Sequence, residues 1–143
     1  AGRQLKDGVI VIFGGGTGHP YFTTDTTAAL RACEIGADAV FKATKVSGVY
    51  STDPAKSASA VRYRTLSYED ALTHRLGVMD AAAFSLCRDN EMPIVVFDFA
   101  DSEGYIRMLY GDMTSATMVG DIETEPDTMS ANRETASPIA GRQ

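Results

Sequence analysis

At 143 residues with 44% hydrophobic content, the chain is long enough for one domain with a real core and is not a disordered polypeptide. Its formal charge of −6 argues against nucleic acid as a main partner, because neutralising a phosphate backbone needs a basic surface. No apolar run approaches the ~20 residues that span a bilayer and no charged-then-apolar signal segment opens the chain, so a cytoplasmic protein with no membrane partner is expected.

In chain order, Val9 to Phe13 is a β-branched and aromatic run, the pattern of a strand buried on both faces. It enters a glycine turn, Gly14-Gly-Gly-Thr-Gly18, followed by a helix start. Thr24 or Asp25 is expected to cap a helix through Ile35, with Ala28, Ala29, Ala32 and Ile35 as its apolar stripe and Gly36 as a left-handed stop. Ala39 to Ala43 reads as a second strand, and strand, helix and strand together predict a right-handed parallel βαβ unit. Residues 44–64 show no steady period and hold Gly48, Asp53, Pro54 and several serines, which predicts a long binding loop.

Ser67-Tyr68-Glu69-Asp70 resembles a capping box for a short helix ending near Gly77, and Asp80 caps another over Ala81 to Asn90. Pro93 introduces a buried strand, Ile94 to Phe97. Asp101 or Ser102 then caps a helix to Tyr110 with Gly111 as its stop, and Met118-Val119 reads as a short edge strand. Residues 121–143 carry five acids and two arginines, lack aromatics and hold Pro126 and Pro138, which predicts a disordered acidic tail. Cys33 and Cys87 lie far apart without a Cys-x-x-Cys or histidine pair, so buried reduced thiols are expected, with no protein metal site.

The glycine turn carries the first chemical signal. Closely spaced glycines let backbone N–H groups approach an anion, the hydroxyls of Thr17, Thr23 and Thr24 add donors, and the next helix contributes the positive end of its dipole. Spacing alone leaves both a phosphate loop and a plain tight turn open. The segment lacks the Lys-Ser/Thr ending of a P-loop, and Pro20-Tyr21 interrupts the run into the helix that a dinucleotide-binding turn requires.

Three blocks in order, Gly16-Thr-Gly-His-Pro-Tyr-Phe-Thr-Thr-Asp25, Lys42-Ala-Thr-Lys-Val-Ser-Gly-Val-Tyr-Ser-Thr-Asp-Pro-Ala-Lys56 and Val78-Met-Asp-Ala-Ala-Ala-Phe84, resemble the C-terminal half of the bacterial uridylate (UMP) kinases of the amino acid kinase family. The resemblance spans roughly residues 7–120. It implies an α/β fold, a three-layer sandwich with a mostly parallel sheet, with residues 1–120 as the C-terminal, ATP-binding part of the domain.

It also implies phosphoryl transfer from Mg2+-ATP to UMP, giving ADP and UDP for UTP and CTP synthesis. By position, Thr17, Gly18, His19, Pro20, Tyr21, Phe22, Thr23 and Thr24 would wrap UMP. Thr44, Tyr50 and Asp53 would contact ATP, with Tyr50 on the adenine side and Asp53 on the ribose side. Asp80 would stand near the transfer centre, holding a catalytic lysine in place, while its spacing alone reads as a helix cap. Lys42 and Lys45 either offset phosphate charge or are solvated surface residues.

His19 stands where related sequences often carry Asn, and Ser47 where Asp is usual. The family's N-terminal half, with its Lys-Leu-Ser-Gly segment, catalytic lysine and second glycine loop, has no counterpart here. The chain opens at Ala1 rather than methionine, so either a fragment of a longer kinase or a truncated, non-catalytic nucleotide-binding module is expected. The family resemblance further implies a homo-oligomer, a hexamer, with GTP and UTP as effectors. Another amino acid kinase, acting on a carboxylate or carbamate, is the remaining alternative.

Overall fold

Helices and strands in a mixed order make up the computed structural model, which describes residues 1–128. The order is α1 (Gly2–Lys6), α2 (Thr24–Ile35), β1 (Val40–Thr44), β2 (Tyr63–Ser67), α3 (Tyr68–Thr73), α4 (Ala81–Asp89), β3 (Ile94–Asp98), α5 (Ser102–Leu109), a 3₁₀ turn (Met113–Ser115), β4 (Ala116–Gly120) and β5 (Glu125–Pro126).

Local chemistry sets the helix ends. The Thr23 hydroxyl accepts from the Asp25 and Thr26 N–H groups to start α2, one residue earlier than the sequence suggests, and Gly36 ends it in the left-handed region at φ 65°. At α3 the Ser67 hydroxyl accepts from the Asp70 N–H and donates to the Asp70 carboxylate, both at 2.9 Å, while the Ser67 N–H donates to the Thr124 hydroxyl at 3.0 Å, so only half of the expected capping box forms. That helix stops at Thr73, short of Gly77. Asp101 caps α5 by accepting from the Gly104 N–H at 2.8 Å; a Cβ at Gly104 would fall 2.1 Å from the Asp101 carboxylate, so only glycine fits there.

The sheet runs β1-β3-β4-β2-β5. The pairs β1/β3 and β2/β4 are parallel, whereas β3/β4 and β2/β5 are antiparallel, so the sheet is evenly mixed rather than mostly parallel. β3 is apolar on both faces because both are covered. Ile94 and Val96 pack with Ala29 and Ala32 of α2 and Ala83, Phe84 and Cys87 of α4, while Val95 and Phe97 pack with Met108 of α5 and Ala116. Helices therefore lie on both sides of the sheet, giving the three layers expected. Full burial of each such aliphatic side chain contributes ~1.5–3 kcal/mol. Cys87 is buried and Cys33 partly so, both as free thiols.

The structure corrects four expectations. Val9 to Phe13 forms no strand: Ile10 and Ile12 are 90% and 91% exposed, and β1, the strand it was expected to join, is the edge of the sheet. A strand with two apolar faces needs cover on both, and the described helices supply too little on the α5 side, where Phe41 of β1 is itself 40% exposed.

Second, β2 begins at the end of the stretch read as an irregular loop, 44–64, and runs on to Ser67, where no strand was expected. Third, β4 is an interior strand between β3 and β2, not an edge. Fourth, residues 121–128 are tied down: β5 pairs with β2 with Pro126 at the sheet edge, and Asp127 is buried. The rest of the predicted tail, 129–143, lies outside the described residues.

Candidate functional site

The carboxyl end of β1 opens into a cleft of about 600 Å³, lined on one wall by Lys42, Thr44 and the loop from Val46 to Pro54, and on the other by residues 74–78 between α3 and α4. Ligands of open α/β sheets bind outside strand carboxyl ends, because there the loops diverge and leave room. Thr44, Tyr50 and Asp53, assigned together from the sequence, all line this one cleft.

Each is held by its own contacts. The Thr44 hydroxyl donates toward the Val46 carbonyl at 2.7 Å, bracing the turn out of the strand. Tyr50 shares a hydrogen bond of 2.8 Å with Ser47, and its backbone forms an antiparallel bridge with Arg62. The serine that replaces the usual aspartate thus orients the ring expected to meet a base. Asp53 accepts from the Ala55 N–H at 3.0 Å and pairs with Lys56 at 3.3 Å, remaining exposed at the rim.

The loop rests on a residue that sequence reading missed. Arg62, 8% exposed, donates to the Ser47 carbonyl at 2.9 Å and the Thr114 carbonyl at 2.7 Å, and pairs with Asp127. A buried guanidinium needs such partners, since an uncompensated charge in the interior is costly. Gly48 allows the loop to pass close by: a Cβ there would stand 2.3 Å from the Thr117 hydroxyl. An arginine beside a strand followed by a late aspartate leaves no recognisable spacing, so the sequence carried no signal for this pair.

A second group of polar residues adjoins the cleft. Asp80 accepts from the Ala82 and Ala83 N–H groups at 3.0 and 3.1 Å, capping α4. The same carboxylate accepts from the Thr23 hydroxyl and from Thr26 at 3.2 Å, which ties the starts of α2 and α4 together. Burial acts to raise the Asp80 pKa, but the bonds from Thr23, Ala83, Thr26 and Ala82 outweigh it and hold the carboxyl below its ordinary value. The cap and the cross-link coexist, so neither reading of Asp80 excludes the other.

Lys42 joins the two groups. Its ammonium donates to Asp25 at 2.6 Å and to the Val78 carbonyl at 2.8 Å while its side chain lines the cleft. A three-donor point charge placed so is suited to neutralising phosphate oxygens. Lys45, by contrast, is exposed outside the cleft lining.

The glycine loop is only partly gathered into this arrangement. Gly15, Gly16 and Gly18 take positive φ, and the Thr17 hydroxyl accepts from the His19 N–H at 3.2 Å. Thr23 meets Asp80 and Thr24 opens α2, whereas Gly18, His19, Pro20, Tyr21 and Phe22 project into solvent, with Tyr21 fully exposed at φ 70°. Among the described residues no group of three or more His, Cys, Asp or Glu side chains is placed to hold a metal ion. No helix among them is long and apolar enough to cross a membrane.

Residues 1–98 match the sequence model of the amino acid kinase family. The fold resembles the solved UMP kinase of Bacillus anthracis at a TM-score of 0.83 and 38% identity, covering 88% of this chain and 52% of that one. It resembles the UMP kinase of Ureaplasma parvum at 0.78 and 34%, covering 82% and 50%. The uridylate kinase of Archaeoglobus fulgidus gives 0.66 and 31%, covering 83% and 56%. The chain thus spans about half the length of these relatives.

Proposed function

This chain belongs to the amino acid kinase family, and from that premise we propose that it is the ATP-binding half of a UMP kinase, passing the terminal phosphoryl group of ATP to UMP to give ADP and UDP. The observation that carries the reading is Lys42: one side chain lines the cleft holding Thr44, Tyr50 and Asp53 and also pairs with Asp25 at the start of α2. It brings a positive charge to where a triphosphate in the cleft would meet an acceptor phosphate on the glycine loop.

In this reading Tyr50 offers an aromatic face to the base, Asp53 accepts from ribose hydroxyls and Thr44 orients the phosphate chain. Thr17 to Thr24 close around UMP, using backbone N–H groups and the α2 dipole. Asp80 positions the cationic partner of the transferred group and takes no proton itself. Phosphoryl transfer proceeds mainly by such positioning and charge neutralisation. The local donors, an ammonium and backbone N–H groups, suit phosphate oxygens rather than a metal ion, so Mg2+ would ride on the triphosphate and supply further charge neutralisation. A cytoplasmic homohexamer with GTP and UTP as effectors, feeding UTP and CTP synthesis, belongs to the same proposal.

A second reading, a nucleotide-binding module without turnover, is favoured by the chain spanning about half of each relative. Titration with ATP and with UMP beside a coupled assay for UDP separates the two. Binding with UDP formation supports the kinase; binding without it leaves the module; binding of neither nucleotide contradicts both.

A further inference from the structure

Thr23 and Thr26 at the start of α2 both bond the Asp80 carboxylate that caps α4, so the two helices leave one point and run the same way. They stay together beyond it, making the most extensive contact of any two helices in the described chain. Ala29, Ala32 and Ala83 lie buried in the core they share, and such small side chains let helix axes approach to about 8 Å. Seven residues make about two turns, so a side chain seven positions on returns to the same side of its helix. Cys33 stands seven residues after Thr26, and Cys87 seven after Asp80. Because Thr26 meets Asp80 at 3.2 Å, this register sets Cys33 opposite Cys87 two turns further along. Cys87 is fully buried, and Cys33, partly exposed, packs against the same core cluster. Burial pushes the Cys87 thiol up to about 11, and Cys33 adds to the rise, an effect that one thiol has on another only when they are close.

We propose that Cys33 and Cys87 form a redox-sensitive pair that closes to a disulfide across α2 and α4. Facing Cα atoms on helices packed this closely fall within the ~4.4–6.8 Å that a disulfide spans. The oxidant is a small-molecule disulfide. Cys33, the more accessible thiol, loses its proton and attacks one sulfur of that molecule, forming a mixed disulfide and releasing one small thiol. Cys87 then loses its proton and attacks the Cys33 Sγ, forming the protein disulfide and releasing the second small thiol. Two protein thiols are oxidised, the small disulfide is reduced to two thiols, and the two protons pass to these products. The new bond pins the far parts of two helices whose starts Asp80 already joins, and it restricts the unfolded chain between residues 33 and 87. The inference rests on helix packing and does not depend on the proposed reaction.

The test holds the 143-residue chain in mixtures of reduced and oxidised glutathione until its thiols stop changing, folded in water and unfolded in urea. Folded samples start either fully reduced or oxidised in urea and then refolded by dilution, so that a slow buried thiol is not mistaken for an unfavourable bond. Free thiols are trapped with iodoacetamide and the link between Cys33 and Cys87 is read by peptide mass. The link is expected to survive in the folded chain under glutathione conditions about tenfold more reducing than those that break it in the unfolded chain. A urea midpoint that rises on oxidation, falls back with dithiothreitol and does not move in Cys33→Ala is the second expected result. A link no more stable in the folded chain than in the unfolded one overturns the proposal. So does glutathione left on Cys33 alone, or a disulfide formed only between two copies of the chain.

Discussion

At the scale of single residues, Asp80 and Gly48 have opposite kinds of importance. The Asp80 carboxylate receives two backbone and two hydroxyl donors, so Asp80→Ala removes a helix cap and a cross-link and should cost about 1–2 kcal/mol in urea unfolding. Asp80→Asn keeps a capping oxygen but not the charge. Because the folded pKa is lowered, the charge stabilises above the free carboxyl's value of about 3.9 and is lost as pH falls through the lower folded value. The stability gap between the unmodified chain and Asp80→Asn should therefore be full near pH 7 and close as pH drops below about 4. A gap that widens in acid would reverse the sign of this argument. Gly48→Ala drives a Cβ against Thr117 and should both destabilise the chain and displace Tyr50, read as weaker nucleotide binding as well as a lower urea midpoint.

At the scale of elements, what was legible is what local chemistry dictates. The starts of α3, α4 and α5 could be read because a short polar side chain lies at the correct distance before each apolar run. β3 could be read because it is apolar on both faces. Thr44, Tyr50 and Asp53 were grouped through family likeness, and the structure brings them to one cleft.

β2 and β5 were hidden because their stability comes from partners far away in sequence. Arg62 precedes β2 and is satisfied by Asp127, 65 positions later, which no local pattern reveals. Val9 to Phe13 failed in the opposite sense: its own pattern is strong, but pairing requires cover that the described residues do not provide. The Arg62 and Asp127 pair gives a prediction at this scale. A chain ending at residue 120 loses Asp127 and β5, leaving a buried guanidinium, and should be less stable by about 3 kcal/mol or more than one ending at residue 128, measured by urea unfolding. Equal stability would return 121–128 to the status of an ornament.

At the scale of the whole molecule, the fold places a three-layer core behind a cleft, with Lys42 between that cleft and the start of α2. The cleft walls are held by contacts within the described chain, through Ser47, Arg62 and Thr117. Turnover is a separate question, since Gly18 to Phe22 project away from the polar cluster. The most direct test of the account is calorimetric titration of ATP into the 143-residue chain and into Tyr50→Leu and Lys42→Met. The account predicts saturable binding that weakens by about tenfold in each variant, the loss of one aromatic or charged contact of ~1–1.5 kcal/mol. ATP binding that neither substitution changes, or no binding at all, would contradict it.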